Sequence, residues 1–286
     1  MKKIFFALVI FMLALQVEAS STNIIENEIA QFGFYKNAMG VEINKENYDK
    51  IKNFLTEEEI KNIPQGNFEL LTKHGEIIQK ETQYYETKNY TDALGNNFTT
   101  TNEITKEEYD LSTPINSRAT THSTNYKTIS ITQTSNSNSK VYFIIQVSWK
   151  KMPEHRSFDV LAFRTDSNTI IYTFESYQDY VVDGTAGDIY YTSSSNNYKE
   201  FTKGAGISQN LVNNSTYYYH TLAATVSCSA GKIYGSYQHA QGSLTLAQSK
   251  SYTLSSTGYG GVIKFTDSTA LSTYDKMGGI SLTPIC

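Results

Sequence analysis

Five histidines are the most direct candidates for acid–base chemistry, and their spacing argues against it. No two of them form an HxxxH or HExxH pattern, so the arrangement of a helical metal site is missing from the sequence. His239 shares a predicted strand face with Ile233 and Tyr237, which indicates a partly buried, hydrogen-bonded ring rather than a general base. The five are His74, His122, His155, His220 and His239, of which His155 is interpreted as a solvated loop residue.

Carboxylate pairs are the next candidates. Glu175 and Asp179 share a predicted strand face, but four strand residues separate them by about 13 Å. Hydrolysis of a glycosidic bond needs two carboxyl groups roughly 5–9.5 Å apart. Asp183 and Asp188 flank a Gly-containing turn, where a Ca²⁺ site and ordinary turn chemistry are both compatible with the residue types.

Motifs for nucleophilic or nucleotide chemistry are missing too. The chain has no Gly-x-Ser-x-Gly and no P-loop pattern, and the glycines at 258–261 lead into a predicted strand, not a helix. We therefore predict no catalytic, cofactor-binding or metal-binding residues. The sequence leans against an enzyme, although a site without a recognisable motif stays open.

The two cysteines, Cys228 and Cys286, form the candidate disulfide. Alternation along the predicted strand at 217–228 places Cys228 on the same face as His220 and Leu222. In an oxidising compartment such a pair can be bridged. Two free thiols are the alternative, and two ligands alone cannot form a structural zinc site.

Tyrosine is the residue type with most promise for binding, since the chain has 22 of them. Neighbouring strand residues face opposite ways, so each run of tyrosines places at least one ring on the less buried side. A flat ring with a hydroxyl suits contact with a glycan or a protein. Alternatively, these are good strand formers that cover sheet faces without any partner. The candidates are Tyr190, Tyr191, Tyr217, Tyr218 and Tyr219.

The first residues are typical of a secretory signal peptide. Lys2 and Lys3 precede an apolar run at 4–15, and the small residue Ala19 allows cleavage before Ser20. The run is shorter than the roughly 20 residues of a membrane-spanning helix. We expect a secreted, extracellular protein without a transmembrane anchor.

Charge excludes one class of partner. Without Lys2, Lys3 and Glu18, the net charge of the chain is −5. A mildly acidic chain without a Lys/Arg cluster does not attract phosphate backbones, so we expect no nucleic-acid partner.

The hydrophobic pattern predicts a mainly β protein. We expect an antiparallel β-sandwich or barrel-like C-terminal domain at 141–286, with odd-numbered residues of 141–149 facing its core. A helical segment plus β-hairpin precedes it at 20–110, with capping boxes at Thr56–Glu59 and Thr105–Glu108. A Ser/Thr/Asn-rich connection at 111–140, with strand character only at 128–132, separates the two, and 1–19 is the signal peptide.

Several short segments resemble a group of uncharacterised secreted proteins of Gram-positive, Firmicutes-type bacteria. The resemblance extends over most of the chain after residue 19. It implies secretion, but no activity, ligand or site residue. The segments lie at 54–60, 206–212, 231–240, 249–252, 258–262 and 274–279.

Our leading functional hypothesis is a non-enzymatic extracellular protein that binds a glycan or another protein. The alternative is a β-pore-forming toxin-like protein, in which the polar stretch at 112–139 refolds into a membrane hairpin. An extracellular hydrolase is the third hypothesis. Membrane hairpins need about ten alternating residues per strand, whereas only residues 128–132 alternate here.

Overall fold

A computed structural model describes residues 24–286, except 92–93, 95–96, 114, 117–121, 135–138, 256–261 and 276. The predicted signal peptide with its cleavage site at Ala19 and Ser20 lies outside the described residues, as does most of the turn predicted at 92–96.

The described helices are short and lie mainly at the two ends of the chain. They are α1 at 24–32, α2 (Lys45–Ile51), α3 (Glu57–Asn62), α4 (Gln65–Lys73), α5 (Lys106–Leu111), α6 (Leu246–Ser249) and α7 (Ser268–Thr273).

Strands dominate the described chain. They are β1 (Phe34–Lys36), β2 (Glu42–Asn44), β3 (Ile77–Thr91), β4 (Asn97–Ile104), β5 (Ile115–Asn116), β6 (His122–Thr134), β7 (Lys140–Trp149), β8 (Phe158–Thr165), β9 (Ile171–Val182), β10 (Thr185–Thr192), β11 (Tyr198–Phe201), β12 (Gly204–Asn210), β13 (Ser215–Ser227), β14 (Ile233–Gln238), β15 (Tyr252–Leu254), β16 (Ile263–Phe265) and β17 (Gly279–Leu282).

Two antiparallel sheets face each other across one core. The larger has the order β10-β9-β13-β7-β6-β3-β4, with β5 beside one end of β6, and the smaller has the order β11-β12-β8-β14-β17. Apolar side chains from both sheets form one cluster between them. This arrangement confirms the predicted mainly β, sandwich-like fold class.

Strand β7 shows how the sequence pattern places residues in this core. Val141, Phe143, Ile145 and Val147 are fully buried between the sheets, as the alternation predicts. The opposite face of β7 is covered as well, because Tyr142 and Ile144 pack into a second apolar cluster with the N-terminal helices. The strand is therefore central to the molecule on both faces.

The N-terminal layer forms from local capping signals. Asn44 caps α2, and complete capping boxes begin α3 at Thr56 and α5 at Thr105. Helix α2 ends at Ile51, and Pro64 precedes the first residue of α4, because proline suits a helix start. The hairpin of β1 and β2 was not predicted.

The stretch 111–140 differs most from its prediction as a connection. Residues 122–134 form β6, which pairs with β3 on one side and β7 on the other. Ile129 and Ile131 are fully buried in the main core. Threonine and serine populate the strand because their side chains also fit a pleated surface. As a result, the helix-plus-hairpin part of the chain contributes β3 and β4 to the same sheet as the C-terminal strands.

The N-terminal helices and the two sheets form three layers, and a fourth layer covers the outer face of the smaller sheet. Helices α6 and α7 and the β15–β16 hairpin surround a third apolar cluster on the outer face of β8. Val160 and Ala162 of β8 belong to this cluster, while Leu161 and Phe163 face the core between the sheets. Both sheets are thus sandwiched, and the space between them is enclosed from both sides.

Candidate functional site

The five candidate tyrosines do not form one surface. Tyr190 is exposed, and its ring lies 4.8 Å from that of Tyr177 on the outer face. Tyr191 turns inward and donates a hydrogen bond to Gln178, 2.7 Å away. The other three lie on β13, where Tyr218 is buried and Tyr217 and Tyr219 stack on each other.

Cys228 and Cys286 are at disulfide distance, with Cα atoms 6.0 Å apart. Cys228 begins a short 3₁₀ turn after β13 and packs partly against the main core. Cys286 lies beyond β17, so a bridge here would fix the C-terminal segment to the end of β13.

Asp183 forms the turn between β9 and β10 together with Gly184. Both residues have positive φ, 50° and 75°, which two-residue hairpin turns of this kind require. Among the described residues, no three His, Cys, Asp or Glu side chains are grouped so that they could hold a metal ion.

The buried polar cluster around Asp159 is the best candidate for chemistry in the described structure, and the sequence analysis did not predict it. Asp159 of β8 lies between the sheets, fully buried, and its carboxylate accepts from Tyr237, His239 and Ala240. The His239 Nδ1 atom is 2.9 Å from one carboxylate oxygen, and the Ala240 N–H group is 3.1 Å from it. Trp149 donates to the Tyr237 hydroxyl at 3.1 Å and so links β7 to this cluster.

Neighbouring charges and hydrogen bonds together set the charge of Asp159. Burial alone would raise the pKa of this carboxyl, but His239, His220 and the Tyr237 hydroxyl together hold the pKa below its ordinary value. An ionised carboxylate only accepts hydrogen bonds, so the His239 Nδ1 atom carries a proton and donates it. The resulting Asp–His pair has the orientation of a general-base pair, but both side chains are at most 1% exposed.

His220 extends the cluster to the larger sheet. Its Nδ1 atom bonds to Gln209, whose amide donates to Ser176 at 2.9 Å. Its Nε2 atom has no hydrogen-bond partner in the described part of the chain and lies 3.8 Å from an oxygen of Asp159. Burial lowers the pKa of His220 to about 4, against the opposing effect of Asp159. The ring is therefore neutral at physiological pH.

Lys127 and Asp275 form a fully buried ion pair beside this cluster. The Lys127 Nζ atom lies 4.7 Å from the centroid of the Trp149 ring and 5.5 Å from that of Tyr237. The backbone N–H group of His239 donates to the second oxygen of Asp275 at 2.8 Å. The pair therefore joins β6 to the segment that follows α7.

The sequence does contain a signal for this cluster. Lys127 is in phase with the buried Ile129 and Ile131, and Asp159 is in phase with Leu161 and Phe163. A charged residue in an otherwise apolar strand face is expected to need a buried partner. His239 is buried and hydrogen-bonded, in agreement with its predicted role.

Comparisons with known proteins give no relative. No family model, curated protein or solved structure matches the chain. The resemblance to secreted Gram-positive proteins therefore stays a prediction. Among the described helices, none is both long and apolar enough to cross a membrane.

Proposed function

We propose that this chain is a secreted, non-enzymatic protein that binds an extracellular partner protein through an exposed arm of its larger sheet. Secretion is supported by the N-terminal Lys2, Lys3 and Ala19 pattern and by the two cysteines at disulfide distance. A hydrolase is less favoured, because the Asp159–His239 pair is enclosed between the sheets and offers no access to a substrate.

The arm consists of the parts of β3, β4 and β6 that extend beyond the sandwich. Pairing between β6 and β7 ends where Lys127 lies opposite Trp149. The remaining residues of β6, 122–126, continue for roughly 16 Å beside β3. At the far end, the Tyr90 and Phe98 rings stack with centroids 5.3 Å apart, and Phe98 is still 43% exposed.

Strand β4 carries the proposal, because no other strand among the described residues pairs with its outer edge. It is the last strand of the larger sheet among the described residues and pairs only with β3. Natural edge strands are normally guarded by lysine, proline or a bulge. From Asn97 to Asn102 this strand has no charged residue and no proline, and its register with β3 is regular. Such an edge fits the addition of an extended segment from another protein.

The pore-forming alternative gains no support from an observation of this kind. Its proposed membrane hairpin includes β6, which lies between β3 and β7 with Ile129 and Ile131 in the core. Refolding would have to extract a central strand of the sheet.

A matched pair of edge substitutions tests the arm. Thr100 of β4 and Thr185 of β10 are both exposed threonines on opposite edge strands of the same sheet. The labelled protein and its variants Thr100→Lys and Thr185→Lys would be applied to immobilised fibronectin, fibrinogen, collagen and neutral and acidic polysaccharides. We expect binding to an extracellular protein that Thr100→Lys lowers at least tenfold and Thr185→Lys leaves unchanged.

Other outcomes would correct the proposal. Equal binding by both variants would place the contact away from β4. Binding to polysaccharides alone would favour a glycan partner. Release of an entrapped dye from liposomes would favour the pore-forming alternative instead.

A further inference from the structure

The Lys127–Asp275 pair is unusual because an ammonium group is enclosed with very few polar neighbours. Both side chains are completely inaccessible, and 148 positions separate them in the sequence. Among the described residues, the Lys127 Nζ atom donates a hydrogen bond only to Asp275. Its other close neighbours are the rings of Trp149 and Tyr237.

An ion pair in such a site is costly to desolvate. Removing two charges from water is compensated only when further hydrogen bonds satisfy both partners. The Trp149 and Tyr237 rings attract the ammonium group, but they accept no conventional hydrogen bonds and replace only part of the hydration that it loses. Transfer of one proton within the pair leaves a neutral amine next to a carboxylic acid. A neutral amine is a nucleophile, and an activated lysine of this kind takes part in covalent chemistry.

The other side of Asp275 is arranged for attack at its carboxyl carbon. One carboxyl oxygen faces Lys127, while the second accepts the His239 backbone N–H at 2.8 Å. A backbone donor at this position stabilises the negative charge that develops on that oxygen in a tetrahedral intermediate. The Asp275 backbone also donates to the His239 carbonyl oxygen at 3.0 Å, which fixes the segment in place.

We propose that Lys127 and Asp275 become joined by an intramolecular amide bond in the folded protein. The Lys127 Nζ atom attacks the Asp275 Cγ atom, and the N–C bond forms as the C–O bond to the oxygen facing Lys127 breaks. That oxygen leaves as water with two hydrogens from the amine and the acid. The step involves no oxidation or reduction and needs no further reactant. The absence of bulk water between the sheets favours the amide over its hydrolysis.

Asp159 acts in this scheme as a positioning residue. It holds the Tyr237 hydroxyl and the His239 ring, and Tyr237 packs against Lys127 while the His239 backbone holds Asp275. The buried cluster would thus be an assembly that brings an amine and an acid together and keeps them dry. Its product would fix the C-terminal segment to β6, independently of the proposed binding arm.

Mass spectrometry of the wild-type protein tests the proposal directly. The purified full chain would be reduced, alkylated and digested with trypsin, which does not cleave after a lysine whose side chain is acylated. We expect a branched peptide that contains Lys127 and Asp275 and is lighter than its two parts by one water molecule. Two separate peptides with unmodified Lys127 and Asp275 would overturn the proposal.

Variants identify the reacting atoms. Asp275→Asn keeps the shape of the side chain but has ammonia as its leaving group, so the branched peptide should form with loss of ammonia in place of water. Lys127→Arg should abolish the branched peptide, whereas the control Lys80→Arg, in a partly exposed pair with Glu59, should retain it. The wild type and Asp159→Asn would also be isolated from inclusion bodies as denatured chains without the amide and then folded. Asp159→Asn should form the amide more slowly than the wild type, compared in molecules that have reached the native near-UV spectrum. A branched peptide that persists in Lys127→Arg would mean that another lysine reacts.

Discussion

Two buried aspartates of this protein have pKa values that are shifted in opposite directions. Asp159 lies between the sheets and accepts from Tyr237, His239 and Ala240, and its pKa is below the ordinary value. Asp179 lies on β9 beneath the start of α4, is 2% exposed, and accepts one bond, from the Gly66 N–H at 3.1 Å. Burial, with smaller contributions from the nearby carboxyl groups of Asp188 and Glu69, raises the pKa of Asp179 to about 7 against the opposing effect of the Gly66 bond.

The difference shows that donors, not depth, decide whether a buried carboxyl is charged. Both residues are almost inaccessible, but within the described residues one oxygen of Asp179 has no hydrogen-bond partner, whereas Asp159 has three donors. Gly66 is required for even the single bond, since a Cβ atom there would lie 2.5 Å from the Tyr177 ring. The Asp159 carboxyl should therefore contribute to stability as an ion, whereas the Asp179 carboxyl should do so as a neutral acid at pH values below 7.

The largest effect should follow from neutralising Asp159. Asp159→Asn retains the shape but removes the negative charge that faces His239. Its N–H group also replaces one of the two acceptor oxygens, either the one to which Tyr237 donates or the one to which Ala240 donates. We expect a loss of about 3–5 kcal/mol in the free energy of unfolding, as found when one partner of a buried charged network is removed. Urea unfolding followed by the fluorescence of Trp149, which is 9% exposed, measures it.

Asp179→Asn is the control for that substitution, because the same chemical change is made at the same depth. It should cost far less than Asp159→Asn at pH 7. Equal losses would mean that the hydrogen-bond donors around Asp159 do not distinguish the two sites.

Removing a bridge between Cys228 and Cys286 should cause the next largest loss of stability. The segment that carries Asp275 ends at Cys286, so a bridge to Cys228 would keep that segment closed over the buried cluster. Cys286→Ser should lower stability by about 4 kcal/mol on a chain-entropy estimate for a 58-residue separation. Thermal unfolding of the variant and of the wild type, each with and without reductant, measures the effect; an unchanged wild-type midpoint in reductant would contradict the bridge.

An apolar substitution gives the scale for these polar effects. Ile145 is fully buried between the sheets, and Ile145→Ala should cost about 2–5 kcal/mol in urea unfolding because it leaves a cavity. Ser148, on the other face of β7, bonds to Thr128 at 2.8 Å, and Ser148→Ala should cost less than about 1.5 kcal/mol. If the two losses were equal, the alternation of β7 would not describe the core.

The sequence predicts the apolar part of this comparison and misses the polar part. Alternation in 141–149 identifies the faces of β7, and the capping boxes at Thr56 and Thr105 identify two helix starts. These signals are local. Asp159, Lys127 and Asp275 belong to one cluster only because β6, β8 and the segment after α7 fold together. These residues are far apart in the sequence, so no local pattern predicts that they lie close in space. Most of strand β6 was not predicted for a related reason. Residues 111–140 are mainly polar, and 122–134 form a strand because β3 and β7 pair with them on both sides.

The pH dependence of Asp179 is a further expected effect, and its sign separates the two aspartates. A carboxyl whose folded pKa is about 7, against an ordinary 3.8, binds a proton more tightly in the native state. Its contribution to stability is complete below pH 4 and is lost as the pH rises through 7. The free energy of unfolding of the wild type minus that of Asp179→Asn should therefore fall by about 2–3 kcal/mol between pH 5 and pH 8.

The free energy of unfolding must be compared between the wild type and Asp179→Asn, because His220 changes stability with pH in the opposite direction to Asp179. Its pKa of about 4 in the folded state lies below the ordinary 6.5, so its contribution to stability is lost as the pH falls from 6.5 towards 4. In the wild type the two contributions largely offset each other between pH 5 and pH 8, whereas Asp179→Asn leaves His220 alone and should become more stable over that interval. Urea unfolding at half-unit pH steps measures both curves. Parallel curves would show that the Asp179 carboxyl is already ionised at pH 5, and that its one bond to the start of α4 suffices to hold a buried charge.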